Sequence, residues 1–120
     1  MHIHCLIIED EPLATYILEQ YIGQTPFLQT ASTLAYLQDA ADIICRQKPD
    51  IIFLDVNTKG INKYQIQELT KKKDVLIIFT TAYPRSFIEE KLQIDLSGLG
   101  YLHKPVSYEA FLKELERLIA

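Results

Sequence analysis

Residues 51–55 read Ile-Ile-Phe-Leu-Asp and residues 5–10 read Cys-Leu-Ile-Ile-Glu-Asp, so that a short, unbroken apolar run stops on acid twice. A run that is apolar at every position, not at alternate ones, suits a strand buried on both faces, as in a parallel sheet covered by helices. Two further runs have the same form and different ends: Val75 to Phe79 precedes Thr80-Thr81, and Leu99-Gly100-Tyr101-Leu102 precedes His103-Lys104. In open α/β sheets the ligand site lies just beyond the carboxyl ends of the strands. Three acids (Glu9, Asp10, Asp55), a hydroxyl and a lysine (Lys104) are therefore expected to converge.

The segments between these runs carry helical periodicity, which gives an alternating order of strand and helix along the whole chain. Pro12 can take the first helical position, with Leu13, Ile17 and Tyr21 on one face up to about residue 22. Phe27 to Ala31 reads as a second strand, and Ser32 or Thr33 can cap a helix from Leu34 to about Gln47, which Pro49 ends. The third strand is Asp50 to Leu54. A helix covers about Asn62 to Lys72, with Ile66 and Leu69 facing inward. After the fourth strand, Pro84 can open a helix through about Leu96. Ser107 can cap the last helix, whose Phe111, Leu115, Leu118 and Ile119 form an apolar stripe. Five strands and five helices with right-handed crossovers predict a doubly wound, three-layer α/β sandwich with strand order 2-1-3-4-5.

Composition sets the class. A chain of 120 residues, 48% hydrophobic, builds a single core and one domain. Its net charge of -4 argues against a general nucleic-acid surface, and the basic run Lys71-Lys72-Lys73 reads as a solvated helix end. Cys5 and Cys45 show no metal-ligand or redox spacing and read as buried thiols. No targeting segment precedes the first strand, and no apolar stretch approaches the roughly 20 residues that span a bilayer. Cytoplasmic residence without a membrane partner is the expectation. His2 and His4 read as packed or solvated strand residues, His103 turns away from Lys104 by alternation, and Gly98-Leu99-Gly100 opens no helix and so is no nucleotide-binding turn.

The acidic pair Glu9-Asp10, Asp55 closing the third strand, Thr81-Ala82 closing the fourth and Lys104-Pro105 closing the fifth together resemble the receiver domain of two-component response regulators. The resemblance covers essentially the whole chain. The strings Glu9-Asp10-Glu11-Pro12-Leu13-Ala14 and Phe79-Thr80-Thr81-Ala82-Tyr83 look like the subgroup whose receivers precede a LytTR-type DNA-binding domain. The resemblance implies a flavodoxin-like, CheY-like fold over residues 1–120, a signalling switch and not a turnover enzyme. Asp55 would accept a phosphoryl group from a sensor histidine kinase, with Lys104 and Thr81 as catalytic residues. Thr81 and Tyr101 would be the switch that alters the face made by the fourth helix, fifth strand and fifth helix. Asn57 and Tyr83 would flank the phosphoryl group and set its lifetime. DNA would be reached only through a C-terminal effector domain outside this chain, and homodimerisation stays open.

The carboxylates point to a cation by themselves. Three acids within several ångströms repel one another, so either one stays protonated or a cation lies between them. Hard oxygen ligands with open positions suit Mg²⁺. Asp10 and Asp55 are the expected direct ligands and Glu9 acts through water; the family adds the backbone carbonyl of Asn57. Several positions depart from the family pattern. Thr58-Lys59 replaces the usual Met-Pro, Lys63 replaces a glycine, and Gly100 replaces the acid that often precedes the switch aromatic, so the dimer that uses this acid is not expected. The stretch from Asp55 to Thr81 is short, and that from Tyr83 to Tyr101 is long. An aspartate-nucleophile phosphohydrolase is disfavoured because its second acid, two residues on, is Asn57 here. The other rival is a binding module that works without phosphorylation.

Overall fold

The protein is described from a computed structural model covering residues 2–57 and 62–119. Thr58 and Lys59, where the sequence departs from the family pattern, lie outside the described residues, as do Gly60 and Ala120. The strands are β1 (Ile3–Ile8), β2 (Leu28–Leu34), β3 (Ile51–Asp55), β4 (Leu76–Thr81) and β5 (Gly100–His103). The helices are α1 (Pro12–Gly23), α2 (Ala40–Gln47), α3 (Lys63–Thr70), α4 (Arg85–Leu92) and α5 (Tyr108–Ile119). All strand pairings are parallel, in the order β2-β1-β3-β4-β5 that the sequence predicts.

Strand alternation divides the core into two layers. Leu6, Ile8, Ile52, Leu54, Ile77 and Phe79 pack beside Ile66 and Leu69 of α3 and Ile88 and Leu92 of α4. Cys5, Ile7, Ile51, Phe53, Ile78 and Leu102 pack on the other face with Leu18 and Ile22 of α1 and Phe111 and Leu115 of α5. All five residues of β3 are buried, as its unbroken apolar reading requires.

Several local expectations are corrected. Leu13 is 63% exposed, because the inward face of α1 is set by Leu18 and Ile22, one position around the helix. Ser32 and Thr33 do not cap a helix: β2 continues through them to Leu34, whose carbonyl accepts the Glu9 N–H. The second helix begins later, as a 3-10 turn over Leu37–Asp39 followed by α2. Helix α4 stops at Leu92, where Gln93 turns left-handed at φ 55, and a second 3-10 turn over Leu96–Gly98 accounts for the long stretch before Tyr101. Ile119 is exposed instead of completing the α5 stripe, and of the two thiols expected to be buried only Cys5 is, Cys45 lying exposed on α2. Ser107 does cap α5, its Oγ accepting the Ala110 N–H, and Asn62 caps α3 by accepting from Gln65.

Two charged pairs hold the irregular path from α4 to the edge strand. From α4, Arg85 donates to the Leu96 carbonyl and Glu89 accepts the Leu96 N–H. From α5, Arg117 donates to the Leu99 carbonyl, and Glu114 accepts the Tyr101 N–H at 2.7 Å. Edge strands expose such groups, and here α5 covers them. Burial raises the Glu114 carboxyl, but hydrogen bonds from Arg117 and Tyr101 outweigh it and leave the group below its ordinary value. Gly100 has a packing reason. A Cβ there would stand 2.6 Å from Ile78 Cγ1 and 2.9 Å from Leu118 Cδ1, so the acid usual at this position has no room.

Candidate functional site

Parallel strands deliver their last residues to one edge of the sheet, and the helices that follow begin there. Asp55 is the last residue of β3, Glu9 and Asp10 follow β1 directly, Thr81 ends β4, and Lys104 follows β5. Glu9 and Asp55 are 4% and 3% exposed, which is unusual for carboxylates unless they are paired. One carboxylate oxygen from each of Glu9, Asp10 and Asp55 lies within 4.8 Å of the others. The Lys104 ammonium is 2.7 Å from Glu9 Oε1 and 3.5 Å from Asp55 Oδ2. Glu9, Asp10, Asp55 and Lys104, drawn from the ends of three strands, are thus brought together.

Backbone donors fix the two buried acids. The Asn57 N–H donates to Asp55 Oδ1 at 3.0 Å, and the Glu11 N–H donates to Glu9 Oε2. Burial pushes the Glu9 carboxyl up to about 7, the neighbouring Asp55 adds to the rise, and Lys104 offsets only part of it. Burial lowers Lys104, but its hydrogen bond to Glu9 and the charge of Asp55 outweigh that and raise it. Within the cluster, Glu9 and Asp55 share the Lys104 ammonium. The cluster's donor set, carboxylate oxygens with two of the acids buried, fits a hard divalent cation such as Mg²⁺.

Thr81 is fully buried, and its Oγ1 accepts the Tyr83 N–H at 3.0 Å. The Tyr101 hydroxyl donates to the Tyr83 carbonyl, while its ring packs on the core layer of α3 and α4. The two expected switch residues are therefore linked through the backbone of a third, a connection with no sequence signal. The Tyr83 ring is partly exposed and packs against Phe87 of α4, 4.6 Å between centroids and tilted by 32°. The loop carrying Lys104 is anchored from the opposite side, where the Tyr21 hydroxyl of α1 donates to the Val106 carbonyl at 2.7 Å. The Lys104-Pro105 peptide is cis. His103 is exposed and takes no part in the ion cluster.

Comparison with known proteins agrees with this geometry. Residues 5–116 match the family model of the response regulator receiver domain. Among curated proteins, the chain is 31% identical over 114 residues to the sensory transduction protein LytT of Bacillus subtilis, covering 93% of this chain and 46% of that protein. It is 31% identical over 115 residues to the positive alginate biosynthesis regulatory protein of Pseudomonas aeruginosa, covering 93% of this chain and 45% of that one. The chain thus spans about half the length of the curated relatives it matches. Among solved structures, the response regulatory domain of protein mrkE from Klebsiella pneumoniae superposes with a TM-score of 0.78 at 23% identity, covering 97% of this chain and 94% of that one. Among the described residues, no helix is long and apolar enough to cross a membrane.

Proposed function

The chain belongs to the response regulator receiver family, and from that premise we propose that it is a phosphorylation-dependent switch whose phosphoacceptor is Asp55. The observation that carries the reading is the position of the Lys104 ammonium, 2.7 Å from Glu9 and 3.5 Å from Asp55, within a cluster of three carboxylates. An Asp55 oxygen attacks the phosphorus of a phosphohistidine on a sensor histidine kinase. A phosphorus–oxygen bond forms, the phosphorus–nitrogen bond breaks, and its electron pair returns to the imidazole.

Positioning and charge stabilisation dominate such transfers. Lys104 sits where it can leave Glu9 and pair with phosphoryl oxygens, and the Asn57 N–H orients the Asp55 carboxylate. Asp10, Asp55 and the Asn57 carbonyl would hold Mg²⁺, with Glu9 acting through water; when bound, the ion supplies positive charge against the phosphoryl oxygens. Tyr83 and the Asn57 side chain would flank the phosphoryl group and set how long the acyl phosphate lasts.

The switch follows from the hydrogen bonds. If Thr81 turns its hydroxyl to donate to a phosphoryl oxygen, it releases the Tyr83 N–H, and the Tyr83 carbonyl that holds the Tyr101 hydroxyl is freed to move. The phosphoryl group then biases an equilibrium of the α4–β5–α5 face. The output would be a cytoplasmic signal to an attached effector, DNA-binding as in LytTR-type proteins, or to a second copy of this chain. The test is intact mass after incubation with acetyl phosphate and Mg²⁺. One phosphoryl group is gained by the wild type, and none by Asp55→Asn or in the presence of EDTA. Equal gain in Asp55→Asn overturns the assignment.

A further inference from the structure

Among the described residues, the Thr80 hydroxyl is the one buried side-chain polar atom with no hydrogen-bond partner. Thr80 is 1% exposed and sits in register with Asp55 on β3 and Leu102 on β5. Ile78 packs in the layer of α1 and α5, and Phe79 packs in the opposite one. Alternation returns Thr80 to the layer of Ile78, the face shared by Phe53 and Asp55 on β3 and by Leu102 on β5. Lys104 follows β5, the edge strand, yet its ammonium reaches Asp55 on β3 and Glu9 after β1. In the order β1-β3-β4-β5 that side chain crosses the end of β4, and Thr80 is the β4 residue on that face at the crossing.

An unpaired buried hydroxyl destabilises a fold, and valine would fill the same space without that cost. A lysine ammonium carries three N–H donors, and here two carboxylate oxygens are its ion-pair partners. We propose that Thr80 is a positioning residue for Lys104. Its hydroxyl is idle while the ammonium rests on Glu9, and it accepts one ammonium N–H when Lys104 is drawn toward a phosphoryl group on Asp55. The inference rests on Asp55 being the phosphoacceptor. It deepens that reading by adding a neutral acceptor on the route of the moving ammonium, where a third carboxylate would compete with the phosphoryl oxygens.

The experiment compares the full chain with Thr80→Val, Thr80→Ser and Thr80→Ala, measuring the rate of acyl-phosphate formation against acetyl phosphate concentration, Mg²⁺ affinity and the urea midpoint. Thr80→Val is expected to raise the urea midpoint yet lower the maximal rate by about tenfold, the worth of a hydrogen bond to a charged group. Mg²⁺ affinity and the donor concentration at half-maximal rate stay unchanged, Thr80→Ser keeps close to the wild-type rate, and Thr80→Ala repeats the loss. A purely structural hydroxyl would move the midpoint alone, so a Thr80→Val protein phosphorylated at the wild-type rate overturns the inference. A wild type that gains no phosphoryl group overturns the phosphoacceptor reading itself, and the inference with it.

Discussion

Glu9 makes the stability of the metal-free protein depend on pH in the direction opposite to most paired carboxylates. Its folded carboxyl titrates at about 7, against 4.5 for an ordinary glutamate, because burial penalises the anion and Asp55 stands beside it. The folded state therefore holds this proton more tightly than the unfolded state. The resulting stabilisation is fully present below about pH 4.5 and is lost as pH rises through about 7. A separation of about 2.5 units at about 1.4 kcal/mol per unit gives roughly 3 kcal/mol, most of it read between about pH 5 and about pH 8. With urea slopes of about 1–3 kcal/mol/M, the midpoint of the EDTA-treated protein should fall by about 1 M or more over that range. Glu9→Gln removes this slope. Saturating Mg²⁺ favours the anion and should flatten or reverse the wild-type trend. Equal pH slopes in wild type and Glu9→Gln would refute the reasoning.

Lys104→Ala should keep Mg²⁺ binding but slow acyl-phosphate formation by about a hundredfold, as for loss of one preorganised donor to developing charge; calorimetry and intact mass check the two halves separately. Gly100→Ala forces a Cβ to 2.6 Å from Ile78 Cγ1 and should cost about 1–3 kcal/mol of overpacking, seen as a lower Tm. Tyr101→Ala should leave the yield of acyl phosphate unchanged but abolish the phosphorylation-dependent change in amide exchange over α4, β5 and α5; a change of wild-type size would remove Tyr101 from the switch.

The site was more legible than the helices around it, for a physical reason. Its residues terminate apolar runs, and a parallel sheet carries the ends of such runs to one edge, so Glu9, Asp10, Asp55 and Lys104 could be placed together without knowing any helix boundary. Strand order followed from the same alternation and from crossover handedness. Helix starts were harder. Ser32 and Thr33 favour caps locally, but pairing of β2 with β1 through Leu34 and Ile8 overrides that preference. The face of α1 was misread by one position because Leu13, Ile17 and Tyr21 repeat at the same spacing as Leu18 and Ile22. Thr80 read simply as strand. Its isolation appears only once its neighbours are seen to offer its hydroxyl no partner. Likewise, Gly100 looked like a missing acid until Ile78 and Leu118 showed the space to be filled.

The most direct test of the central claim is to treat the protein with acetyl phosphate and Mg²⁺, reduce it with borohydride, and sequence the peptides by mass spectrometry. An acyl phosphate on an aspartate is reduced to homoserine, so the modified position is read without mutation. The account predicts homoserine at residue 55 in the Mg²⁺ sample and its absence with EDTA. Homoserine at residue 10, or none at 55 under conditions that load a phosphoryl group, would contradict it.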